Sequence, residues 1–228
     1  MPSRMYVFTF GWSPEFVIQP LLREGLEKDD FILLLTNKPE SEYARRKFEE
    51  AYQQVVSFLK YVNLASRVAY REVSVERDFM EICLDIAKIL NEELARRKPD
   101  VMKVYLSGGM RVLILATLLV VRLLHLCGEN VEIYTSMENR PVTYAIPIRA
   151  LTIDPTRITT EQLEILKILG SVGEAPVEAL AVRRARDTAR KLLGKLVDRG
   201  LVAYRARGRR YFYFLTLLGR LITLCSEG

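Results

Sequence analysis

The chain has few cysteines and no pattern that would join them. Cys83, Cys127 and Cys225 are far apart in sequence, their number is odd, and no Cys-x-x-Cys pair occurs. The sequence therefore indicates neither a zinc site nor a disulfide framework. We expect the three side chains to be buried thiols in a reducing cytoplasm.

Secretion signals and membrane-spanning stretches are also missing. The N-terminus lacks the order of charged, apolar and small residues that signal peptides share. The most apolar stretch is 112–126, but its uninterrupted part ends at Arg122, which is too short to cross a bilayer. We therefore predict a cytoplasmic protein in which this stretch is a helix buried on most sides. Asparagine and glutamine are scarce and charged residues common, which favours a thermophilic source.

Residues that could support catalysis or a cofactor are scarce. His125 is the one histidine of the sequence, and no Ser, Cys or carboxylate motif near it suggests a nucleophile–base pair. No Gly-x-Gly-x-x-Gly loop occurs, so a dinucleotide cofactor is not supported. The sequence predicts no cofactor and no metal site, and we expect a protein that is not an enzyme.

The excess of positive charge lies entirely in the last third of the chain. The whole sequence has a net charge of +6, yet residues 155–228 hold 14 Lys and Arg against 7 Asp and Glu, whereas residues 1–154 hold 20 against 21. Such an asymmetry indicates that one part of a protein meets a polyanion. The alternative is a solvated basic surface with no partner.

Hydrophobic patterns predict alternating strands and helices as far as residue 147. The predicted strands are 5–10, 31–35, 67–73, 101–106, 131–135 and an edge strand at 142–146, and the predicted helices are 16–25, 41–61, 79–97 and 110–127. The apolar strands do not alternate cleanly, which is typical of strands covered on both faces. We therefore predict an α/β fold with a Rossmann-like, doubly wound sheet over 1–147.

The pattern changes after a predicted linker at 148–157. Helices are predicted at 159–169, 177–182 and 186–199, followed by strands at 201–204 and 211–215 and a last helix at 216–224. Thr159 or Thr160 opens the first helix in a capping box, and Gly200 is a natural stop for the third. Three helices and a hairpin predict a winged helix-turn-helix over 158–228.

This second domain has the charges of a DNA-binding protein. A helix-turn-helix places its second helix in the major groove, and a wing can reach the backbone or a minor groove. The predicted DNA-binding residues are Arg184, Arg186, Thr188, Arg190, Lys191, Arg205, Arg207, Arg209 and Arg210. Binding through so many cations should depend strongly on salt. A winged helix that binds protein instead remains the alternative.

Two loops are candidates for a ligand site in the first domain. Ligands of doubly wound sheets bind beyond the carboxyl ends of the strands at the switch point, which we place between the first and fourth strands. The following loops are 11–13 and 107–111. Two glycines before a helix form an anion cradle, and a bound phosphate would offset the unfavourable position of Arg111 in the first helical turn. Arg111 could instead face solvent or a carboxylate, and Trp12 could stack on a nucleobase or pack on its own domain.

The second of these loops resembles a known motif. Residues 104–133, with Ser-Gly-Gly-Met-Arg followed by a very apolar helix, resemble the fourth-strand motif of CARF domains, the CRISPR-associated Rossmann folds. The loop Thr-Phe-Gly-Trp at 9–12 resembles their other ligand-facing motif. A CARF domain followed by a winged helix is similar to the layout of archaeal CRISPR-associated regulators that govern cas genes. The resemblance covers nearly the whole chain.

The resemblance implies a ligand, a partner and a mechanism. Members are homodimers, so the helix at 110–126 would contribute to the dimer contact, and cyclic tetra-adenylate would lie on the two-fold axis. Residues implied to hold phosphate and ribose are Ser107, Gly108, Gly109, Met110 and Arg111; those implied to line the base or ribose are Thr9, Phe10, Gly11 and Trp12, with Thr36, Asn37 and Lys38 as weaker candidates. Ligand binding would alter the spacing or freedom of the winged helices, and hence their affinity for promoter DNA.

Two other functions remain open at this point. One is a ring nuclease, in which the ligand's own ribose hydroxyl attacks the neighbouring phosphate and Ser107, Arg111 and Lys38 assist by positioning. The other is a winged-helix regulator that responds to an unrelated small ligand.

Overall fold

The chain folds into two compact units. The computed structural model describes residues 3–137, 142–152, 154, 157–181, 185–208 and 210–225. Unit 1 is Met1–Ile148 and unit 2 is Arg149–Gly228.

Unit 1 alternates strands and helices along the chain. Its elements are β1 (Arg4–Phe10), α1 (Glu15–Glu24), β2 (Phe31–Asn37), α2 (Glu42–Tyr61), a 3₁₀ turn (Ala65–Arg67), β3 (Val68–Val73), α3 (Phe79–Arg97), β4 (Val101–Tyr105), α4 (Arg111–Leu126), β5 (Val131–Ser136) and β6 (Thr143–Ile146). The predicted elements are all present, and their ends differ from the prediction by a few residues.

One sheet forms the centre of unit 1, with the strand order β3-β2-β1-β4-β5-β6. The first five strands are parallel, and β6 pairs antiparallel with β5 at the edge. The predicted α/β fold with a parallel, doubly wound sheet is therefore confirmed. The order reverses between β1 and β4, so the loops after these two strands meet at the switch point.

The central strands are buried on both faces because helices cover each face. Every residue from Met5 to Phe10 is at most 2% exposed. Since successive side chains of a strand point to opposite faces, Tyr6, Phe8 and Phe10 pack together on the side of α1 and α2. Helices α3 and α4 pack against each other. This sheet is a rigid platform that fixes where the two loops begin.

Glu93 is a buried carboxylate of α3 that is held by arginines. Its side chain is 2% exposed and accepts from Arg71 at 2.9 Å, from Arg97 at 3.0 Å and from Arg96. Burial alone raises the pKa of Glu93, but the hydrogen bonds and charges of Arg96 and Arg97 outweigh burial, so the pKa lies below its ordinary value. The carboxylate therefore stays ionised and joins α3 to strand β3.

We expect Glu93→Gln to lower the free energy of unfolding by about 2 kcal/mol at neutral pH, because hydrogen bonds to a charged group contribute about that much. A depressed folded-state pKa stabilises the fold above the pKa of an unfolded glutamate, and this contribution is lost as pH falls through the folded-state pKa. The deficit of the variant should therefore shrink between about pH 7 and about pH 3 in denaturant titrations. Glu92→Gln, at an exposed neighbouring position, is the control. If Glu93→Gln lost the same stability at about pH 3 as at about pH 7, the lowered pKa of Glu93 would be contradicted.

Unit 2 consists of helices around a small antiparallel sheet. Its elements are α5 (Ile148–Thr152), which begins at the boundary with unit 1, α6 (Thr160–Val172), β7 (Glu174–Pro176), α7 (Val177–Leu180), α8 (Arg186–Asp198), β8 (Val202–Arg207), β9 (Arg210–Leu215) and α9 (Leu217–Cys225). The strand order is β7-β9-β8. A core of leucine, isoleucine, valine and alanine joins α6, α7 and α8 to the sheet.

Local signals at the ends of these helices act as predicted. Thr159 caps α6, and its side chain and that of Gln162 form the reciprocal bonds of a capping box. Gly200 follows α8 with a φ of 71°, a left-handed conformation that favours glycine.

Three features of unit 2 differ from the prediction. The short helix α5 lies inside the predicted linker, and β7 adds a strand where a loop was expected. The hairpin strands reach further, because Arg207 pairs with Arg210 and the chain turns at Gly208, whose φ is 61°. Arg205, Arg207 and Arg210, which were predicted to lie in a basic loop, thus extend the strands instead.

Candidate functional site

The loops after β1 and β4 touch through their backbones at the switch point. A Cβ atom added to Gly11 would lie 2.9 Å from the amide nitrogen of Gly109, and one added to Gly108 would lie 2.8 Å from the carbonyl oxygen of Thr9. Gly109 has a φ of 83°. Side chains cannot be accommodated at these separations, so glycine is what allows the two loops to meet.

A cavity of about 720 Å³ opens beside this contact. Its volume lies in the usual range of small-molecule sites, about 300 to 1,000 Å³. The lining residues come from three loops and the start of α2; they are Gly11, Trp12, Ser13, Asn37, Glu40, Ser41, Ala44, Gly109 and Met110. We call this space the switch-point cavity.

The residues predicted to bind ligand fall into three groups. Gly11, Trp12, Asn37, Gly109 and Met110 line the switch-point cavity. Others lie next to it, in the β4–α4 loop and at the start of α4; these are Ser107, Gly108 and Arg111. The remainder point elsewhere; they are Thr9, Phe10, Thr36 and Lys38.

The side chains at the ends of β1 and β2 belong to the core. Thr9 and Thr36 are 2% exposed, and Phe10 is fully buried against Phe48, with ring centroids 5.8 Å apart. The hydroxyl of Thr9 donates to the carbonyl of Tyr105 at 3.4 Å. These side chains are not directed into the cavity, so only the backbone at these positions can face a ligand there.

Two other predicted residues, Lys38 and Ser107, do not line the cavity. Lys38 is exposed and lines a separate space of about 250 Å³ together with Glu40 and Glu76. The hydroxyl of Ser107 accepts from the backbone amide of Ser136 at 2.8 Å. Ser107 therefore ties the β4–α4 loop to the end of β5.

Sequence reasoning missed the wall that α2 provides. Glu40, Ser41 and Ala44 line the cavity but were not among the predicted residues, whereas Ser13, which also lines it, belongs to the candidate loop 11–13. The sequence does hold a signal for them, because Ser41 is the N-cap of α2 and accepts from the amide of Ala44 at 3.1 Å. A helix that begins directly after β2 must begin at the carboxyl edge of the sheet.

Trp12 lines the cavity and contacts a second exposed aromatic side chain, Tyr43. Trp12 is 56% exposed, and its ring meets that of Tyr43 edge-on with centroids 6.1 Å apart. Tyr43 is 62% exposed. Trp12 thus packs on its own unit yet keeps more than half of its surface free, so it can also stack on a planar ligand.

The start of α4 is suited to an anion. Met110 is the N-cap and provides no side-chain hydrogen bond, so the first amides of α4 lack a capping acceptor. The first turn holds no acidic residue, and Arg111 is exposed there. The helix dipole, uncapped amides and a guanidinium together favour a bound phosphate.

Helix α4 also presents an exposed apolar face. Leu115, Leu123 and Leu126 are 57%, 46% and 56% exposed. Among the described residues, the buried Nε of Arg122 on the same helix has no hydrogen-bond partner. Exposed leucines on one face of a helix are typical of a surface that another protein covers.

The predicted DNA-binding residues of unit 2 lie on α8 and the hairpin. Arg186, Thr188, Arg190 and Lys191 are all exposed on α8. Arg186 pairs with Glu178, and Arg190 lies 3.6 Å from Asp187. Predicted residues Arg184 and Arg209 lie outside the described part of the chain.

The hairpin arginines share one acidic partner. Glu174 of β7 pairs with Arg205 and, at 2.7 Å, with Arg207. The two guanidinium groups lie over the rings of Phe214 and Phe212, at 5.8 and 5.2 Å from the centroids. These arginines are therefore ordered before any ligand binds.

Comparison with known proteins identifies the family. Residues 4–174 match the Csa3 CRISPR-associated Rossmann-like domain. The match covers well over half of the chain and includes every strand of unit 1. The chain belongs to this family.

Solved structures resemble parts of this Csa3-family chain. Csm6 from Enterococcus italicus, bound to cyclic hexa-2′-fluoro-hexa-dAMP, is 12% identical with a TM-score of 0.51, over 86% of this chain and 55% of Csm6. MarR from E. coli is 23% identical with a TM-score of 0.31, over 32% of this chain and 55% of MarR. The homodimeric winged helix-turn-helix domain of Mb0332 from Mycobacterium bovis is 31% identical with a TM-score of 0.28, over 35% of this chain and 70% of that domain. The chain spans about half of Csm6 and of MarR, and the likeness to Csm6 shows a shared fold. No curated protein matches the chain.

In this Csa3-family chain, both loops of the switch-point cavity lie inside the matched segment. Within the described residues, no group of three or more His, Cys, Asp or Glu side chains is arranged to hold a metal ion. None of the described helices combines the length and apolarity needed to span a membrane.

Proposed function

We propose that this chain is a homodimeric, CRISPR-associated transcriptional regulator that binds cyclic tetra-adenylate through unit 1 and promoter DNA through unit 2. The observation that carries the proposal is the backbone contact of two glycine loops beside the switch-point cavity. That contact brings amides, an uncapped helix start and an exposed Trp12 to one opening. Phosphates and purine bases are the groups that such a set binds.

The two ends of the cavity suit different parts of the nucleotide. Amides at Gly109 and Met110, with the guanidinium of Arg111, are suited to phosphate oxygens. Trp12 supplies a ring face for adenine, and the side-chain amide of Asn37 can bond to a base edge. A ring of four nucleotides repeats these contacts in two copies of the site.

A second copy of the chain fits the exposed face of α4. Burying Leu115, Leu123 and Leu126 against a two-fold partner removes apolar surface from water at about 25 cal/mol per Å². Because α4 starts at the cavity and extends along the proposed interface, ligand and dimer contacts lie on one helix.

We propose that unit 2 is a winged helix-turn-helix with α8 as its recognition helix. Exposed cations on α8 and the hairpin supply phosphate contacts. Thr188 and Arg190 are placed on the exposed face where base edges would be met. In this account the ligand acts by shifting the arrangement of two winged helices, and the chain binds the ring without cleaving it.

We expect the full-length protein to bind a labelled duplex with an affinity that falls steeply with salt, and Arg207→Ala to weaken binding and lower the salt slope by about 1. The slope falls because one fewer phosphate counterion is released. Fluorescence anisotropy at a series of KCl concentrations measures both quantities.

Lys60→Ala is the matched control, since it removes one exposed cation from α2 of unit 1. Lys60→Ala should leave the DNA affinity and its salt slope unchanged. Loss of DNA binding in Lys60→Ala but not in Arg207→Ala would place the DNA interface on unit 1 and contradict the proposal for unit 2. Linear adenylate products after incubation with the ring would favour the ring nuclease instead.

A further inference from the structure

The hairpin β8–β9 has two chemically different faces. Residues directly opposite each other in an antiparallel pair share a face. Tyr204 lies opposite Tyr213, and Tyr211 lies opposite Ala206. The same face carries the buried pair Val202 and Leu215, which packs on the helices of unit 2. The tyrosines therefore continue this helix-facing side of the hairpin toward its tip. Arg205 and Arg207 occupy the other face.

Two of these tyrosines are exposed although they contact other rings. Tyr204 is 54% exposed and Tyr211 56% exposed. Their rings meet edge-on at 5.4 Å, and the rings of Tyr204 and Tyr213 are 5.9 Å apart. The rings are therefore ordered in the free protein, which reduces the entropy that a binding partner must remove.

The innermost tyrosine of this face, Tyr213, lies near α8. Burial raises the pKa of Tyr213, and the positive charge of Arg190 opposes that rise, so the innermost ring is within electrostatic reach of α8. Arg186 and Lys191 are exposed on the same helix. A partner that contacts this edge of the hairpin therefore meets phenol hydroxyls and positive charge together.

We propose that Tyr204 and Tyr211 are DNA contacts, each donating a hydrogen bond from its hydroxyl to a backbone phosphate between α8 and the hairpin. The inference rests on the proposed DNA-binding function and adds residues that the charge pattern alone does not indicate. Tyrosine is among the side chains that bond to phosphate oxygens. A hairpin inserted in a minor groove presents each of its faces to one groove wall. The tyrosines would then contact the backbone of one DNA strand, and the arginines the backbone of the other.

The test is the binding of full-length variants to a labelled, mixed-sequence duplex of about 40 base pairs across a salt series. We expect the double variant Tyr204→Phe/Tyr211→Phe to bind about tenfold more weakly, because each loses one hydrogen bond of modest net strength. Its salt slope should equal that of the wild type, since a neutral hydroxyl releases no counterion. This separates it from Arg207→Ala, whose slope falls.

The matched control is Tyr61→Phe, which removes one hydroxyl from a side chain of unit 1 that is 89% exposed. It should bind as the wild type does. Wild-type affinity in the double variant would overturn this inference while leaving DNA binding intact. A wild-type protein that fails to bind the duplex even at low salt would overturn the proposed function itself.

Discussion

Gly108→Ala is expected to abolish binding of cyclic tetra-adenylate. The added methyl group would lie 2.8 Å from the carbonyl oxygen of Thr9, and because that oxygen belongs to the backbone, no side-chain rotation relieves the overlap. The β1–α1 and β4–α4 loops must separate. Sites that hold phosphate through backbone amides tolerate displacements of only about 0.5 Å, so we expect affinity to fall about 100-fold or more.

The variant should still fold, which makes the experiment interpretable. Overpacking at one position costs about 1 to 3 kcal/mol, against about 5 to 15 kcal/mol for a typical domain. Gly170→Ala is the matched control: its methyl group would meet Leu215 and Thr223 at an ordinary 3.7 Å within a helix of unit 2. Calorimetric titration of both proteins, with thermal unfolding beside it, measures the effect. Normal ligand affinity in Gly108→Ala would show that the loop junction does not form the site.

Arg111→Ala should weaken cyclic tetra-adenylate binding about 100-fold, because truncating a charged partner of phosphate costs about 2 to 3 kcal/mol. DNA binding in the absence of ligand should not change, since Arg111 belongs to unit 1. Arg111→Lys keeps the charge but loses the paired donors of the guanidinium, so its affinity should be intermediate.

Lys60→Ala again serves as the control, because it removes the same charge far along α2 from the cavity. Its ligand affinity should equal that of the wild type. If Arg111→Ala bound the ring normally, the guanidinium would face solvent in the complex, and the phosphate would be held by backbone amides alone.

The fold of unit 1 could be predicted because its central strands β1 and β2 are largely apolar. Segments such as Phe31–Asn37 are covered on both faces, and glycine and proline separate them from helices with clear helical spacing. The sequence did not predict the strand order, but the usual layout of doubly wound sheets placed the switch point between the first and fourth strands, where the structure has it. The short strand β7 was missed because Glu174–Pro176 is too brief for periodicity to show.

The candidate site could be predicted only in part. The glycine loops are visible in sequence, because they directly follow β1 and β4 and so lie at the carboxyl edge of the sheet. Whether a side chain at the end of a strand faces the cavity or the core depends on the strand's phase, and Thr9 and Thr36 face the core. Glu40, Ser41 and Ala44 line the cavity because α2 begins beside it; the N-cap signal at Ser41 marks where α2 begins but not how it packs against the other loops.

The hairpin shows a similar limit. Its positive charge was evident, but the pairing of Arg205 and Arg207 with Glu174 depends on a strand that sequence did not reveal. The exposed tyrosines lie on the other face of the hairpin from these arginines. Their position follows from the register of β8 and β9, which the turn at Gly208 sets. The charge pattern thus identified the hairpin as basic, and the register of its strands shows which residues lie on each of its two faces.

Calorimetric titration of the wild-type protein with cyclic tetra-adenylate is the first measurement to make. The proposed function predicts tight binding with one ring for every two chains, as two switch-point cavities facing across a dimer axis require. No heat of binding, together with an unchanged melting temperature, would contradict the assignment of unit 1 as a cyclic oligoadenylate sensor.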